Sequence, residues 1–244
     1  DRGHALHHRE DQGALSLSAP DVSIVGGGIM GCTAALRLAQ AGLSVCVLER
    51  SVPGAEASTA AAGILAPMME AEEVGPALRL GLRSAALYAQ LASELREGHA
   101  LEIGHRVTGL LRLALAHEHD GVAALEEHAA RLLGSGLPAT RGVALIDGDE
   151  ARRREPELSQ DVQAALELPG EGQVDPRLLL PALSMAAERL GVRFVTDCVV
   201  REVLTEGGRA RGVRLDAEVL HSEHVVVAAG SWTSLVPGVP LPSV

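Results

Sequence analysis

With 244 residues, 47% of them hydrophobic, the chain is long enough to bury a sizeable core, as one domain or as two interleaved ones. A formal net charge of −11, with one Trp, one Tyr and one Phe, argues against nucleic-acid binding, which needs clustered Lys and Arg and aromatic platforms for bases. No run reaches the roughly 18 apolar residues of a membrane span.

Residues 1–20, DRGHALHHREDQGALSLSAP, lack the apolar core of a signal peptide and read as a disordered tail or inter-domain linker. Residues 22–25 then form an apolar strand that runs into a glycine turn, where Gly26, Gly28 and Gly31 fit G-x-G-x-x-G. In that turn the first glycine permits the tight bend, the second lets backbone approach a pyrophosphate, and the third lets helix pack on strand. The first-turn N–H groups, around Ile29 and Met30, face the anion. Ala34, Ala35, Leu38 and Ala39 recur at helical spacing, and Gly42 closes the helix. Leu43 to Leu48 reads as a buried parallel strand ending in Glu49, about 20 residues beyond the loop, where an acid accepts ribose hydroxyls and repels a 2′-phosphate.

Beyond Arg50, the run from Pro53 to Leu65 places a hydroxyl pair, Ser58 and Thr59, before tiny residues that leave backbone amides uncovered. Hydroxyls suit phosphate oxygens, and exposed amides suit the N5/O4 edge of a flavin. The competing reading is a short Ala-rich helix. Leu80, Leu87, Tyr88, Leu91 and Leu95 stripe a helix after Pro76 as core positions. A strand over 108–116, a helix carrying Leu125, Leu132 and Leu133, and a short helix capped by Asp147 and stopped by Pro156 follow. Ala164–Leu168 is a strand, and Pro176 opens a helix capped by Asp175 and ended by Gly191. Strands are expected at 192–195, 199–204, 210–215 and 225–227, with Gly207-Gly208 as a hairpin turn. The last of these enters Ala228-Ala229-Gly230-Ser231-Trp232, a small-residue turn where a second crossing of a doubly wound sheet meets its cofactor.

Three cysteines, Cys32, Cys46 and Cys198, form no C-x-x-C and read as inert buried thiols in a reducing, cytoplasmic setting. His117, His119, His221 and His224 lack a third ligand at metal spacing and read as surface residues, as does the acidic cluster of Glu70, Glu72 and Glu73.

The segments GGGIMG, VCVLER, AST-AAAGILAP, EGQVDPRLLLPAL and VVVAAGSW, in this order, resemble the D-amino-acid-oxidase-like family of FAD-dependent amine oxidoreductases, and within it the glycine-oxidase branch of thiamine biosynthesis. The resemblance covers roughly residues 20–244. It implies an α/β fold in which a Rossmann-like FAD-binding domain of glutathione-reductase type carries an inserted α+β substrate domain. Residues 21–80 and 173–244 would form the FAD domain and 81–172 the insertion. By position, Ile29 and Met30 would touch the pyrophosphate, Glu49 and Arg50 the ribose region, Ala57, Ser58 and Thr59 the phosphates, and Ala62, Gly63 and Ile64 the flavin edge. Val200, on the strand beginning at 199, would meet adenine through its backbone, and Ala229, Gly230 and Trp232 would border the cofactor from the last crossing.

The reaction the resemblance implies is hydride transfer from a small amino acid or amine, glycine above all, to flavin N5, giving an imine, with dioxygen yielding hydrogen peroxide. No catalytic acid or base is expected among these residues, because the flavin carries the chemistry. Competing readings are a D-amino-acid dehydrogenase or sarcosine-type oxidase, an NAD-dependent dehydrogenase, and a non-catalytic nucleotide-binding module. A homo-oligomer is left open. The chain, starting at Asp1 and stopping at Val244, reads as a C-terminally truncated piece of a longer protein. The substrate-gripping arginine and the helix facing the flavin pyrimidine are expected beyond it, so aggregation or weak FAD retention is expected of the piece alone.

Overall fold

The computed structural model describes residues 18–239. Most of the expected 1–20 tail lies outside the described residues; Ser18, at its end, accepts a hydrogen bond from Arg193 through its carbonyl at 2.6 Å. The elements in chain order are β1 (Val22–Val25), α1 (Ile29–Gln40), β2 (Val45–Leu48), α2 (Ala57–Ala60), β3 (Ile64–Leu65), α3 (Pro76–His99) and β4 (Arg106–Val107). There follow β5 (Leu110–Leu115), α4 (Gly121–Gly134), β6 (Ala144–Asp147), α5 (Gly148–Arg154), β7 (Val162–Leu168), β8 (Gly172–Gln173) and α6 (Pro176–Arg189). The last are β9 (Arg193–Val195), β10 (Glu202–Glu206), β11 (Arg209–Arg214), β12 (Val219–His221), β13 (His224–Val227) and a 3₁₀ helix, Gly230–Leu235.

These elements form two compact units, one of residues up to Val52 together with those from Leu190 onward, the other Pro53–Arg189. In the first unit, β13-β1-β2-β9 make a four-stranded parallel sheet. β1 sits between β2 and β13, so the order reverses there, and in such sheets ligands bind outside the carboxyl ends of the strands at that point. β1 and β2 are buried along their whole length because both faces are covered, with Ser23 the one polar side chain between them. An antiparallel meander, β10-β11-β12, packs through Val203, Val213 and Leu220 onto Val25, Cys46 and Leu48.

Two expected details differ in this unit. The buried face of α1 is Gly31, Cys32, Ala35 and Leu36, so the face is offset from the expected 34/35/38/39 stripe. The strand expected at 199–204 is Glu202–Glu206, which leaves Cys198 and Val200 in the connection before it. That connection is tied down by backbone instead: Asp197 N–H donates to Ser51 O at 3.2 Å and Cys198 N–H to Glu49 O at 2.9 Å.

The second unit holds two three-stranded sheets, β3-β8-β4 and β5-β7-β6. One core gathers Met68, Leu78, Leu125, Leu132, Leu166 and Leu168 between α4 and the β5-β7-β6 sheet. Asp147 caps α5 as its sequence predicts, accepting the Glu150 N–H at 2.7 Å, and Asp175 accepts the Arg177 N–H at 2.8 Å at the start of α6. α3 buries Leu78, Leu91, Ala92 and Leu95. Leu80 and Leu87, expected in its core stripe, lie on another face and are 70% and 49% exposed. The expected insertion limits, 80/81 and 172/173, both fall inside this second unit.

Candidate functional site

In the first unit the site is built at the carboxyl ends of β1, β2 and β13. Gly26 leaves β1 with φ +103°, and a Cβ there would lie 2.6 Å from the Ala228 carbonyl oxygen, so the last turn packs directly on the glycine loop. A Cβ on Gly31 would lie 1.9 Å from the Gly26 oxygen, which is why only glycine allows α1 to start so close to its strand. Gly28 is the N-cap of α1, with no side-chain cap and no acid in the first turn. The positive end of the helix thus suits an anion. Ile29 is half-buried and Met30 is exposed at that end.

Glu49 closes the loop from β2. Its Oε2 accepts the buried Gly27 N–H at 2.7 Å and its Oε1 the Ser51 N–H at 2.9 Å. Each oxygen keeps a second lone pair, so the carboxylate organises the glycine loop while retaining capacity for a hydroxyl. Gly27, which the fingerprint leaves unspecified, belongs to this arrangement: a Cβ on it would lie 3.2 Å from Glu49 Oε2.

Beside the loop lies a cleft of about 170 Å³ lined by Val25, Gly26, Leu48, Arg50, Cys198, Val199, Val200, Ala229, Trp232, Leu235 and Val236. Its walls are mainly apolar, and the Arg50 guanidinium sits 4.3 Å over the Trp232 ring, a cation–π contact. Of the residues expected from the sequence, Gly26, Arg50, Val200, Ala229 and Trp232 meet on this one cleft. Gly230, with φ +55°, opens the 3₁₀ helix and is exposed.

The remaining expected residues lie in the second unit. Ala57, Ser58 and Thr59 fall in α2, so the run is a short helix there. Thr59 Oγ1 donates to the Gly54 carbonyl at 2.6 Å, which commits its proton within the loop. Ala62 and Ile64 are exposed; Gly63 has φ +76°, and a Cβ there would lie 2.0 Å from the Val174 carbonyl oxygen. That contact explains the glycine by backbone packing, since Val174 N–H donates to Gly63 O at 2.9 Å.

Among the described residues no group of three or more His, Cys, Asp or Glu could hold a metal ion, and no helix is long and apolar enough to cross a membrane. Sequence reasoning missed two buried titratable residues of the second unit, His128 and Glu171. The signal for His128 was its place in the Leu125, His128, Ala129, Leu132 stripe of α4.

A family model for FAD-dependent oxidoreductases (DAO) matches residues 21–244. The chain belongs to this family. FAD is its cofactor. The chain is similar to a glycine oxidase from Geobacillus kaustophilus, with 34% identity over 88% of the chain and 55% of that protein. It is 33% identical to the bifunctional protein ThiO/ThiG of a Synechocystis species, over 91% of the chain and 31% of that protein. The crystal structure of the Geobacillus kaustophilus glycine oxidase superposes with a TM-score of 0.81, covering 88% of the chain and 56% of that structure. Iminodiacetate oxidase from a Chelativorans species superposes with a TM-score of 0.75 at 29% identity, covering 88% of the chain and 56% of that structure. The chain therefore spans about half the length of the oxidases it is similar to.

Proposed function

We propose that the protein oxidises a small amino acid or amine, with glycine the favoured substrate, taking two electrons from the amine C–N unit to give an imine and passing them to dioxygen to give hydrogen peroxide. Bound FAD supplies the two-electron acceptor for that reaction. The observation that carries the reading is the arrangement at the carboxyl ends of β1 and β2: a helix start with no side-chain cap behind two glycines, Gly26 and Gly31, where a Cβ would strike backbone, with Glu49 bonded to Gly27 beside it. Those residues fit an adenosine diphosphate. The α1 terminus suits the pyrophosphate, the free lone pairs of Glu49 suit ribose hydroxyls, and the apolar cleft by Val200 and Trp232 suits a flat purine. Arg50 would flank that ring, and Gly26, Gly28, Ile29, Met30 and Gly31 would supply backbone.

The same reading assigns Ala57, Ser58 and Thr59 to the phosphates, Ala62, Gly63 and Ile64 to the flavin edge, and Ala229 and Gly230 to the last crossing. For the first set, the Thr59 proton is committed to the Gly54 carbonyl, so helix α2 would serve the phosphates through backbone N–H groups. The likeness to glycine oxidase favours glycine, and that to iminodiacetate oxidase favours a secondary amine as the next candidate. The likeness to the bifunctional ThiO/ThiG protein supports a place in thiamine thiazole synthesis. Cys32, Cys46 and Cys198 form no disulfide, which suits a reducing cytoplasm.

The test is anaerobic addition of glycine to the FAD-loaded protein, followed by air. Bleaching of the flavin bands, then recovery with hydrogen peroxide, is the expected result. Bleaching without peroxide would make it a dehydrogenase, and no bleaching by glycine, sarcosine or D-alanine would remove the amine-oxidase reading.

A further inference from the structure

We propose that Glu171 and His128 act together as positioning residues that pin the backbone on both sides of the Met68 α-carbon, and so hold segment 66–71, the continuation of the AAGIL run. Met68 is 1% exposed and belongs to the core of the second unit. Its N–H donates to Glu171 Oε1 at 2.7 Å, and its carbonyl lies 2.9 Å from His128 Nε2. Glu171 comes from the turn between β7 and β8, and His128 from α4, so two elements distant in sequence converge on the backbone of one residue.

The protonation pattern of this clamp follows from its ends. His128 Nδ1 is in contact with Arg112 Nη1, a group that can only donate, so Nδ1 accepts and the ring proton sits on Nε2, where it donates to the Met68 carbonyl. Donors thus point the same way at each contact, from Arg112 to His128, from His128 to the Met68 carbonyl, and from the Met68 N–H to Glu171. At the far end Glu171 Oε2 is buried with no hydrogen-bond partner among the described residues. A proton on that oxygen removes a charge that the surrounding core cannot solvate.

Burial pushes Glu171 up to about 7, against the pull of the Met68 and Met69 N–H groups. Burial first, and then the Arg112 charge, lowers His128, while its bond to Met68 works the other way. No charged side chain contributes to the Glu171 shift, whereas Arg112 from β5 and Arg131 from α4 both face His128. Both clamp residues are therefore neutral together in a window closed above by Glu171 ionisation and below by His128 protonation. Met68, Leu65, Pro67 and His105 also line a cavity of about 230 Å³ in this unit, so the clamp fixes part of its wall. The value of this for the reaction rests on the proposed flavin role of the neighbouring run; the clamp itself does not.

Amide hydrogen exchange of the full chain without flavin, read in a peptide spanning 64–72 and expressed as protection factors on both sides of pH 7, is the test. Protection at Met68 and Met69 is expected to fall about tenfold for each pH unit between 4.5 and about 7 and to level off above the Glu171 transition, and Glu171→Gln is expected to abolish that dependence. Protection that stays level in the unmodified chain, or that still falls in Glu171→Gln, would overturn the proposal. Should that variant not fold, the carboxyl carbon of Glu171 is followed by NMR in the unmodified chain. A transition near 7 supports the clamp, and one in the ordinary carboxylate range overturns it. No arm involves flavin, so failure here leaves the amine-oxidase reading standing.

Discussion

Replacing Glu49 by Gln tests the glycine loop with the smallest change of shape. The carboxylate serves two donors, the buried Gly27 N–H at 2.7 Å and the half-buried Ser51 N–H at 2.9 Å. An amide has a single oxygen, so one of those donors must face an NH₂ group. Gly27 is the more deeply buried, and the side chain is expected to keep that bond and give up Ser51, which water can reach. A hydrogen bond to a charged group contributes about 1.5–3 kcal/mol. Losing one and weakening the other should cost about 2 kcal/mol, roughly a 30-fold shift in the unfolding equilibrium. Glu49→Ala should cost more, because the Gly27 donor is then left buried and unsatisfied. The assay is urea unfolding followed by tryptophan emission, since the chain has one Trp and Trp232 lies in the same unit as Glu49. A midpoint shifted down with an unchanged slope is expected. Midpoints equal to that of the unmodified chain for both variants would refute the claim that Glu49 organises the loop.

Gly31→Ala sets a Cβ 1.9 Å from the Gly26 oxygen, so it should displace α1 from β1 and abolish FAD retention, read as flavin absorbance after desalting. Arg50→Ala removes the cation held 4.3 Å over Trp232, a contact of about 0.5–1 kcal/mol at an exposed site, and should change the tryptophan emission and weaken FAD binding. Cys198 lines the cleft whereas Cys32 and Cys46 are buried, so alkylation should fall first on Cys198 and slow when FAD or ADP is added, as mass spectrometry would show. The raised Glu171 makes the folded chain bind more protons than the unfolded one between 4.5 and about 7. Its contribution to stability is therefore complete below 4.5 and lost as pH rises through about 7, which denaturation midpoints across that range would reveal.

Much of this was legible in the sequence because it depends on backbone. The order of β1, α1 and β2 follows from an apolar run, a glycine turn and helical spacing, and Asp147 and Asp175 declare the starts of α5 and α6 by cap chemistry. What escaped depends on contacts between distant segments. Gly27 has no local reason to be glycine until Glu49 folds back over it. Val200 has strand-like neighbours, yet Asp197 and Cys198 donate to the backbone of Ser51 and Glu49 and hold the chain out of a ladder until Glu202. Leu80 and Leu87 satisfy helical spacing as well as Leu91 and Leu95 do, and only the packing of α3 tells which face is buried. Arg50 and Trp232 were each expected near the cofactor, but their pairing needs β2 and β13 to share one sheet. Glu171 and His128 carried polar labels in sequence and became core only because the Met68 N–H and carbonyl offer each of them a partner.

The most direct measurement is binding of FAD to the purified chain, followed by quenching of Trp232 emission and by flavin retained after desalting. Saturable quenching, reproduced by ADP and lost in Gly31→Ala, is the predicted result, because the adenosine half alone should fill the cleft beside the glycine loop. No quenching by either ligand, or equal quenching in Gly31→Ala, would contradict the assignment of that loop and cleft to the cofactor.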